Sequence, residues 1–183
     1  RLDLPQLEFA AQAFQEADPK DARIVVTHHH LAPAPDYDSA RAMPRARQVL
    51  DTLSRMEVEL ILGGHLHRAY IGNSLDVYPG RDRERGIVIV QSGTTSSRRG
   101  RARERAKNSC NVIRVAENYL EITHLMYFDD IGCFAPLSMH AFPRRDNRHF
   151  PRDPLHSPTL LRRSEEATGA APAPREAVGR SLP

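Results

Sequence analysis

Two short aliphatic runs do most to limit how this chain can fold. Ile24-Val25-Val26 stops at Thr27-His28-His29-His30, and Leu60-Ile61-Leu62 stops at Gly63-Gly64-His65-Leu66-His67. Apolar runs this short, bounded by turn and polar residues, read as buried strands over 23–27 and 58–62. Between them Ala46, Val49, Leu50 and Leu53 share one face of a helix expected from Arg45 to Met56. Upstream, Leu7, Ala10, Phe14 and Ala17 recur at helical spacing. Pro5 falls in the first turn, where its missing N–H is harmless, and Asp18-Pro19-Lys20-Asp21 closes the helix. Ala32-Pro33-Ala34-Pro35-Asp36 is a loop. Helix, strand, loop, helix, strand is the alternation of an α/β sheet.

After His67 the pattern changes. Runs at 75–78, 86–91, 111–116 and 119–127 read as strands joined by turns. Beyond Arg144 the chain is rich in Pro, Ala, Arg and Ser without periodicity, which predicts one domain over 1–143 and a disordered tail over 144–183. A chain of 183 residues with 40% hydrophobic content suffices for one ordinary domain. No apolar run approaches the roughly 18 residues of a membrane span, and no charged-then-apolar leader is present. Cys110 and Cys133 stand far apart without a Cys-x-x-Cys pair, which argues against a zinc ribbon or disulfide scaffold and points to a reducing cytoplasm. Cys110 reads as a buried strand residue. The chain opens on Arg1-Leu2-Asp3-Leu4 rather than Met, as a processed or truncated product would.

Five of the nine histidines lie in the two clusters. Imidazole is the commonest protein ligand for borderline divalent metals, and strand ends are where α/β proteins collect their sites. An extended His65-Leu66-His67 would put both imidazoles on one side and Leu66 toward the core. Gly63 and Gly64 would permit a tight turn without bulk near the ions. A tag remnant would not follow a buried strand in mid-chain. A cupin would place a Glu soon after His67, where the sequence has Arg68-Ala69-Tyr70-Ile71. A metallo-β-lactamase would need an Asp where Ala69 stands.

Taken together, Thr27-His28-His29-His30-Leu31-Ala32-Pro33 and Leu62-Gly63-Gly64-His65-Leu66-His67 resemble the late motifs of calcineurin-like metallophosphoesterases: a strand ending in a metal-ligating His, then Gly-His-x-His. Gln91-Ser92-Gly93-Thr94-Thr95-Ser96-Ser97-Arg98 and Asn111-Val112-Ile113-Arg114-Val115 resemble the strands that follow in the bacterial, cyclic-nucleotide-phosphodiesterase-like branch. The resemblance spans residues 5–143. It implies the C-terminal half of an α/β/β/α sandwich with mixed sheets. It also implies two divalent ions (Mn, Fe or Zn), with His28 and His65 on one and His67 on the other. His29 would stand behind the ligands or face the substrate, and His30 would be structural. The reaction implied is hydrolysis of a phosphate mono- or diester, with two ions clamping the phosphoryl oxygens.

The family's earlier motifs, Asp-x-His, Gly-Asp and Gly-Asn-His-Asp/Glu, are not in this sequence. The chain is therefore expected to be the C-terminal portion of a longer protein, with too few ligands to hold both ions and little or no turnover alone.

The rival readings are a non-catalytic metal-binding remnant and a nucleic-acid-binding module, and both use the basic cluster over Arg98–Lys107. Arg98, Arg99, Arg101, Arg103, Arg105 and Lys107 are offset only by Glu104 within a chain of formal net charge +3. They would contact nucleic-acid phosphates, steer an anionic substrate, or form a solvated loop. Ser92, Ser96 and Ser97 lack a companion base, so serine nucleophile chemistry is not expected. Tyr70 and Asn73 read as packing or pocket-lining. His124, His140, His149 and His156 read as isolated residues rather than ligands.

Overall fold

The computed structural model describes residues 2–33, 41–79, 86–101 and 104–144. Helix α1 (Leu4–Glu16) begins with a capping box, in which the Asp3 carboxylate accepts the Gln6 N–H and the Gln6 side chain accepts the Asp3 N–H. Strand β1 (Ile24–Val26) follows, then α2 (Ala46–Arg55), which buries Ala46, Val49, Leu50 and Leu53, the four residues its spacing singled out. Strand β2 (Leu60–Gly63) leads into the second histidine cluster.

The strand expected at 75–78 is not formed. Strand β3 (Tyr70–Asn73) precedes it, and Ser74–Val77 is a one-turn helix, α3. Asn73 accepts the Leu75 N–H while the Asp76 carboxylate accepts the Asn73 N–H, so Asn-Ser-Leu-Asp is a helix-start signal that overrides the aliphatic pair after it. Strands β4 (Val88–Gln91), β5 (Ser109–Val115) and β6 (Tyr119–Phe128) lie close to their expected positions. Strand β7 (Cys133–Pro143) has no counterpart in the sequence reading. It contains Pro136, which argues against a strand interior. The sheet accommodates it through a register shift, with His124 opposite Ser138 and Leu125 opposite Pro136, leaving Leu137 as the extra residue.

The first sheet has the order β1-β2-β4-β3, parallel except for β3. The second is the antiparallel β5-β6-β7. Alternation along β2 and β4 assigns each strand two apolar faces. Ile61 and Ile89 pack under Val49, Leu50 and Leu53 of α2, with Leu7 and Phe14 of α1 at the margin. Leu60, Val88 and Val90 point the other way onto Leu120 and Ile122 of β6. Burial on both faces is why these strands read as continuous apolar runs. The fold is α/β with mixed sheets, as the alternation predicts, and the described residues stack as helix, sheet, sheet.

Two details depart from the sequence reading. Strand β1 is half-buried rather than buried, because among the described residues it pairs only with β2, and Val26 is 76% exposed at that edge. Arg144, the first residue of the expected tail, donates two hydrogen bonds to Glu59 (2.7 and 3.2 Å) and others to the Ala116 and Lys20 carbonyls. The rest of the tail, and Ala34-Pro35-Asp36 of the loop, lie outside the described residues, as do Arg103, His149 and His156.

Candidate functional site

Register brings the two histidine clusters together. Ile24, Val25 and Val26 stand opposite Leu60, Ile61 and Leu62. The parallel ladder continues past the strands, with the Thr27 N–H on the Leu62 carbonyl (2.8 Å) and the Gly64 N–H on the His28 carbonyl (3.4 Å). His28 and His65 therefore leave neighbouring strand ends side by side. His28 Nε2 and His65 Nδ1 are 3.1 Å apart. The His29 ring lies 4.9 Å from the His65 ring and 5.1 Å from the His28 ring. His30 stacks on His65 at 6.0 Å. His28, His29 and His65 are exposed, while His30 is buried.

The turn that carries the second cluster is not extended. His65 (φ 69°) and His67 (φ 54°) both take the left-handed conformation, and the Leu66 N–H between them donates to the Gly64 carbonyl. Gly63 and Gly64 do not have positive φ, and a Cβ on either would meet only ordinary contacts. The expectation that the glycines make the turn is corrected: the histidines make it, histidine being among the few side chains enriched in that region. Leu66 is buried, as expected. The His67 imidazole has no hydrogen bond or ring contact to the other histidines among the described residues. Its carbonyl accepts the Arg101 N–H.

Two of the cluster's histidines are shifted by their surroundings. His29 is held below the ordinary histidine range, first by desolvation, then by the positive amino terminus, and last by the rings of His65 and His28. Burial likewise disfavours the His30 cation. Neutral imidazoles are what a metal requires. Two observations bear on whether a metal fits. The separation of His28 Nε2 and His65 Nδ1 is close to the about 3.3 Å between two nitrogen donors on one tetrahedral zinc. Gln91 Oε1, at the same end of the sheet, is buried without a hydrogen-bond partner among the described residues, whereas the His30 ring is buried beside the Arg41 backbone, which favours its cation by hydrogen bonding. Such orphans are uncommon in a finished interior. Against this, no group of three or more His, Cys, Asp or Glu among the described residues is placed to hold a metal ion. The residues thus fit two donors to one ion and no complete shell.

Several residues that support the site are invisible to motif reading. Gln91 is fully buried, lies against Gly63 and donates to the Ala32 carbonyl, tying the loop after His30 to the end of β4. Glu104 is not merely a lone offset to the basic cluster. It is 5% exposed, and its carboxylate accepts the Ala69 N–H (2.6 Å) and the Ser109 hydroxyl (2.7 Å). Together with the Arg101 bond to His67, this clamps the basic segment onto the Gly-His-Leu-His turn. A buried acid inside a basic run was the available signal. Arg98, Arg99, Arg101, Arg105 and Lys107 are exposed around it. Asn73 caps α3, and Tyr70 packs toward the helix side. Cys110 is half-buried rather than buried, and both cysteines are free. No helix among the described residues is long and apolar enough to cross a membrane.

The fold and site thus define an α/β protein with an imidazole cluster at the carboxyl ends of two parallel strands. No family model and no curated protein matches this chain. Solved structures similar to it include a double-substitution variant of Vps29 from Entamoeba histolytica, at 14% identity and TM-score 0.35, over 53% of this chain and 46% of that one. A single-substitution variant of the same protein is 13% identical at TM-score 0.35, over 59% and 51%. Wild-type Vps29 complexed with Zn2+ is 11% identical at TM-score 0.37, over 59% and 51%. This chain spans about half the length of those structures, and at these scores the likeness decides no family.

Proposed function

We propose that the histidine cluster is one part of a divalent-metal centre that hydrolyses phosphate esters in the reducing cytoplasm. The observation that carries the reading is the pair of imidazole nitrogens, His28 Nε2 and His65 Nδ1, held 3.1 Å apart by the register of two parallel strands. The motif resemblance supplies the chemistry: His28 and His65 take one ion and His67 takes the other, Mn, Fe or Zn. When bound, such an ion polarises a phosphoryl oxygen and lowers the pKa of coordinated water. His29, exposed beside His65, faces the substrate, and His30 packs behind. The cations flanking Glu104 raise the local concentration of an anionic ester, for which a cyclic or aryl phosphodiester is the class assigned. The carboxylates that would complete the centre are not in this sequence, so the isolated chain binds metal weakly and turns over little.

Calorimetric titration of the 183-residue chain with Zn2+, and Co2+ absorption spectra, test the reading. Saturable binding that weakens at least tenfold in both His28→Ala and His65→Ala is expected. Metal affinity indifferent to both substitutions would sink it. Vigorous hydrolysis of bis(4-nitrophenyl) phosphate by the isolated chain would refute the claim that the centre is incomplete.

A further inference from the structure

The hairpin of β6 and β7 outruns the sheet it belongs to. Strand β5 flanks it only as far as Ser109 opposite Met126, where the Asn108 carbonyl accepts the Tyr127 N–H. Beyond that point Tyr127 pairs with Phe134 and Phe128 with Cys133, and the Gly132 N–H closes the turn on the Phe128 carbonyl. A two-stranded ribbon is marginal by itself in water. This one is exposed from Asp129 to Phe134, and a Cβ on Gly132 would meet nothing within 4 Å.

The arm is apolar where a free-standing ribbon would be polar. Ile131 at its tip is 58% exposed. The Phe134 ring is exposed too and meets the Tyr127 ring edge-on at 5.4 Å. Tyr127 stands in the row of Leu125 and Thr123, and Val112 of β5 lies opposite Thr123. That row faces away from Leu120 and Ile122, on the outer side of the second sheet, where Val112 is 55% exposed. An apolar strip thus runs from the tip back to β5. Charge along the arm is one-sided. From Tyr119 to Pro143 the acidic residues are Glu121, Asp129 and Asp130, and there is no Lys or Arg. At the root of the arm the basic segment ends in Arg105-Ala106-Lys107, all exposed, directly before Asn108.

We propose that the arm docks on a second copy of this chain, the two arms lying antiparallel with the tip of each at the root of the other. Ile131 and Phe134 then cover Leu125 and Val112 of the second copy, and Asp129 meets its Lys107. A second copy is the fitting partner because one chain carries both halves of the contact, and a two-fold axis uses each half twice. Asp130 already has an interaction within its own chain, so the ion pair is assigned to Asp129. Side chains rather than strand edges make the contact, since Pro136 and the extra residue Leu137 interrupt any ladder along the edge of β7. None of the clustered histidines takes part, so the contact is independent of the metal reading.

The test is sedimentation equilibrium of the 183-residue chain, in EDTA and with a reductant that keeps the exposed Cys133 a thiol. Concentrations from about 5 μM to about 0.5 mM span the affinities of small interfaces. A monomer–dimer equilibrium that weakens as salt is raised is expected. Ile131→Asp should weaken it at least about tenfold. Asp129→Lys and Lys107→Glu should each weaken it several-fold, and the two in one chain should restore it, because the exchange rebuilds the pair. Val26→Lys, at the exposed edge of β1, should leave it unchanged. All four positions are exposed, and the urea midpoint of each variant checks that its fold is kept. A chain that stays monomeric throughout, a dimer that survives Ile131→Asp, a double reversal that recovers nothing, or a dimer lost in Val26→Lys would overturn the proposal.

Discussion

Replacing Glu104 tests how the histidine turn is held. Its carboxylate serves two buried donors at once, the Ala69 N–H and the Ser109 hydroxyl, at 2.6 and 2.7 Å. In Glu104→Ala both lose their acceptor at positions where Ala69 is 9% and Ser109 1% exposed, and each such orphan costs about 1–3 kcal/mol. The expected loss is therefore about 2–6 kcal/mol, a large part of the about 5–15 kcal/mol that holds a domain together. Glu104→Gln keeps one oxygen for Ala69 and turns an NH2 group toward Ser109, whose hydroxyl can accept instead. Its cost should be nearer 1 kcal/mol, the difference between charged and neutral hydrogen bonds. Urea denaturation of the three proteins measures the global term. Hydrogen exchange at the Ala69 amide measures the local one and should accelerate in the alanine variant beyond what global unfolding explains. Zn2+ affinity should fall several-fold in the alanine variant and hold in the glutamine variant, because residues 67–69 carry the clamp into the turn. A Glu104→Ala protein within about 0.5 kcal/mol of the parent, with unchanged exchange at Ala69, would refute the assignment of Glu104 as a buried clamp.

Three further outcomes are expected. Arg144→Ala should destabilise by about 1–3 kcal/mol in chemical denaturation, since Glu59 is 6% exposed and would lose two charge-assisted hydrogen bonds; a loss under about 0.5 kcal/mol would class the pair with surface bridges. Gly93→Ala should lower the melting temperature by several degrees, because the new Cβ would fall 2.2 Å from Glu104 Oε2 and 2.3 Å from Ser109 Oγ, both pinned by their mutual hydrogen bond. His124 and His140 are both held below the ordinary value of 6.5, by burial first. The unfolded chain then binds more protons than the folded one, so their contribution is intact above 6.5 and is lost as pH falls below it toward the folded values. Denaturation midpoints measured downward from pH 7 should fall, and His124→Gln should flatten that fall; an unchanged slope would count against a buried, neutral His124.

The parts of the fold that could be read in advance are those where one local signal acts unopposed. Helix α2 shows one apolar stripe and nothing contradicts it, so its bounds and buried residues follow from spacing. Strands β2 and β4 are buried on both faces, and the price of that burial is a continuous aliphatic run that is easy to see. Strand β7 was hidden because Pro136 argues locally against a strand, and only pairing with β6 across a register shift absorbs it. Residues 74–77 misled because Leu75 and Val77 outweighed the cap at Asn73. At the site, the motif located His28 and His65 but could not supply the backbone. An alternating His-x-His was expected to be extended, and the structure turns it through two left-handed residues. Glu104, Gln91 and Asn111 work by reaching across sequence separations of 35, 59 and 13 residues, which no local pattern encodes.

Those two left-handed histidines set stability against side-chain identity at the same positions. Side chains there carry strain, about 1–3 kcal/mol for most and less for asparagine, aspartate and histidine, and glycine would hold the turn more comfortably. His65→Gly should therefore give a protein at least as stable as the parent while erasing the ring nearest His28. If His65 ligates a metal as proposed, the turn gives up backbone comfort at the position where it gains a ligand.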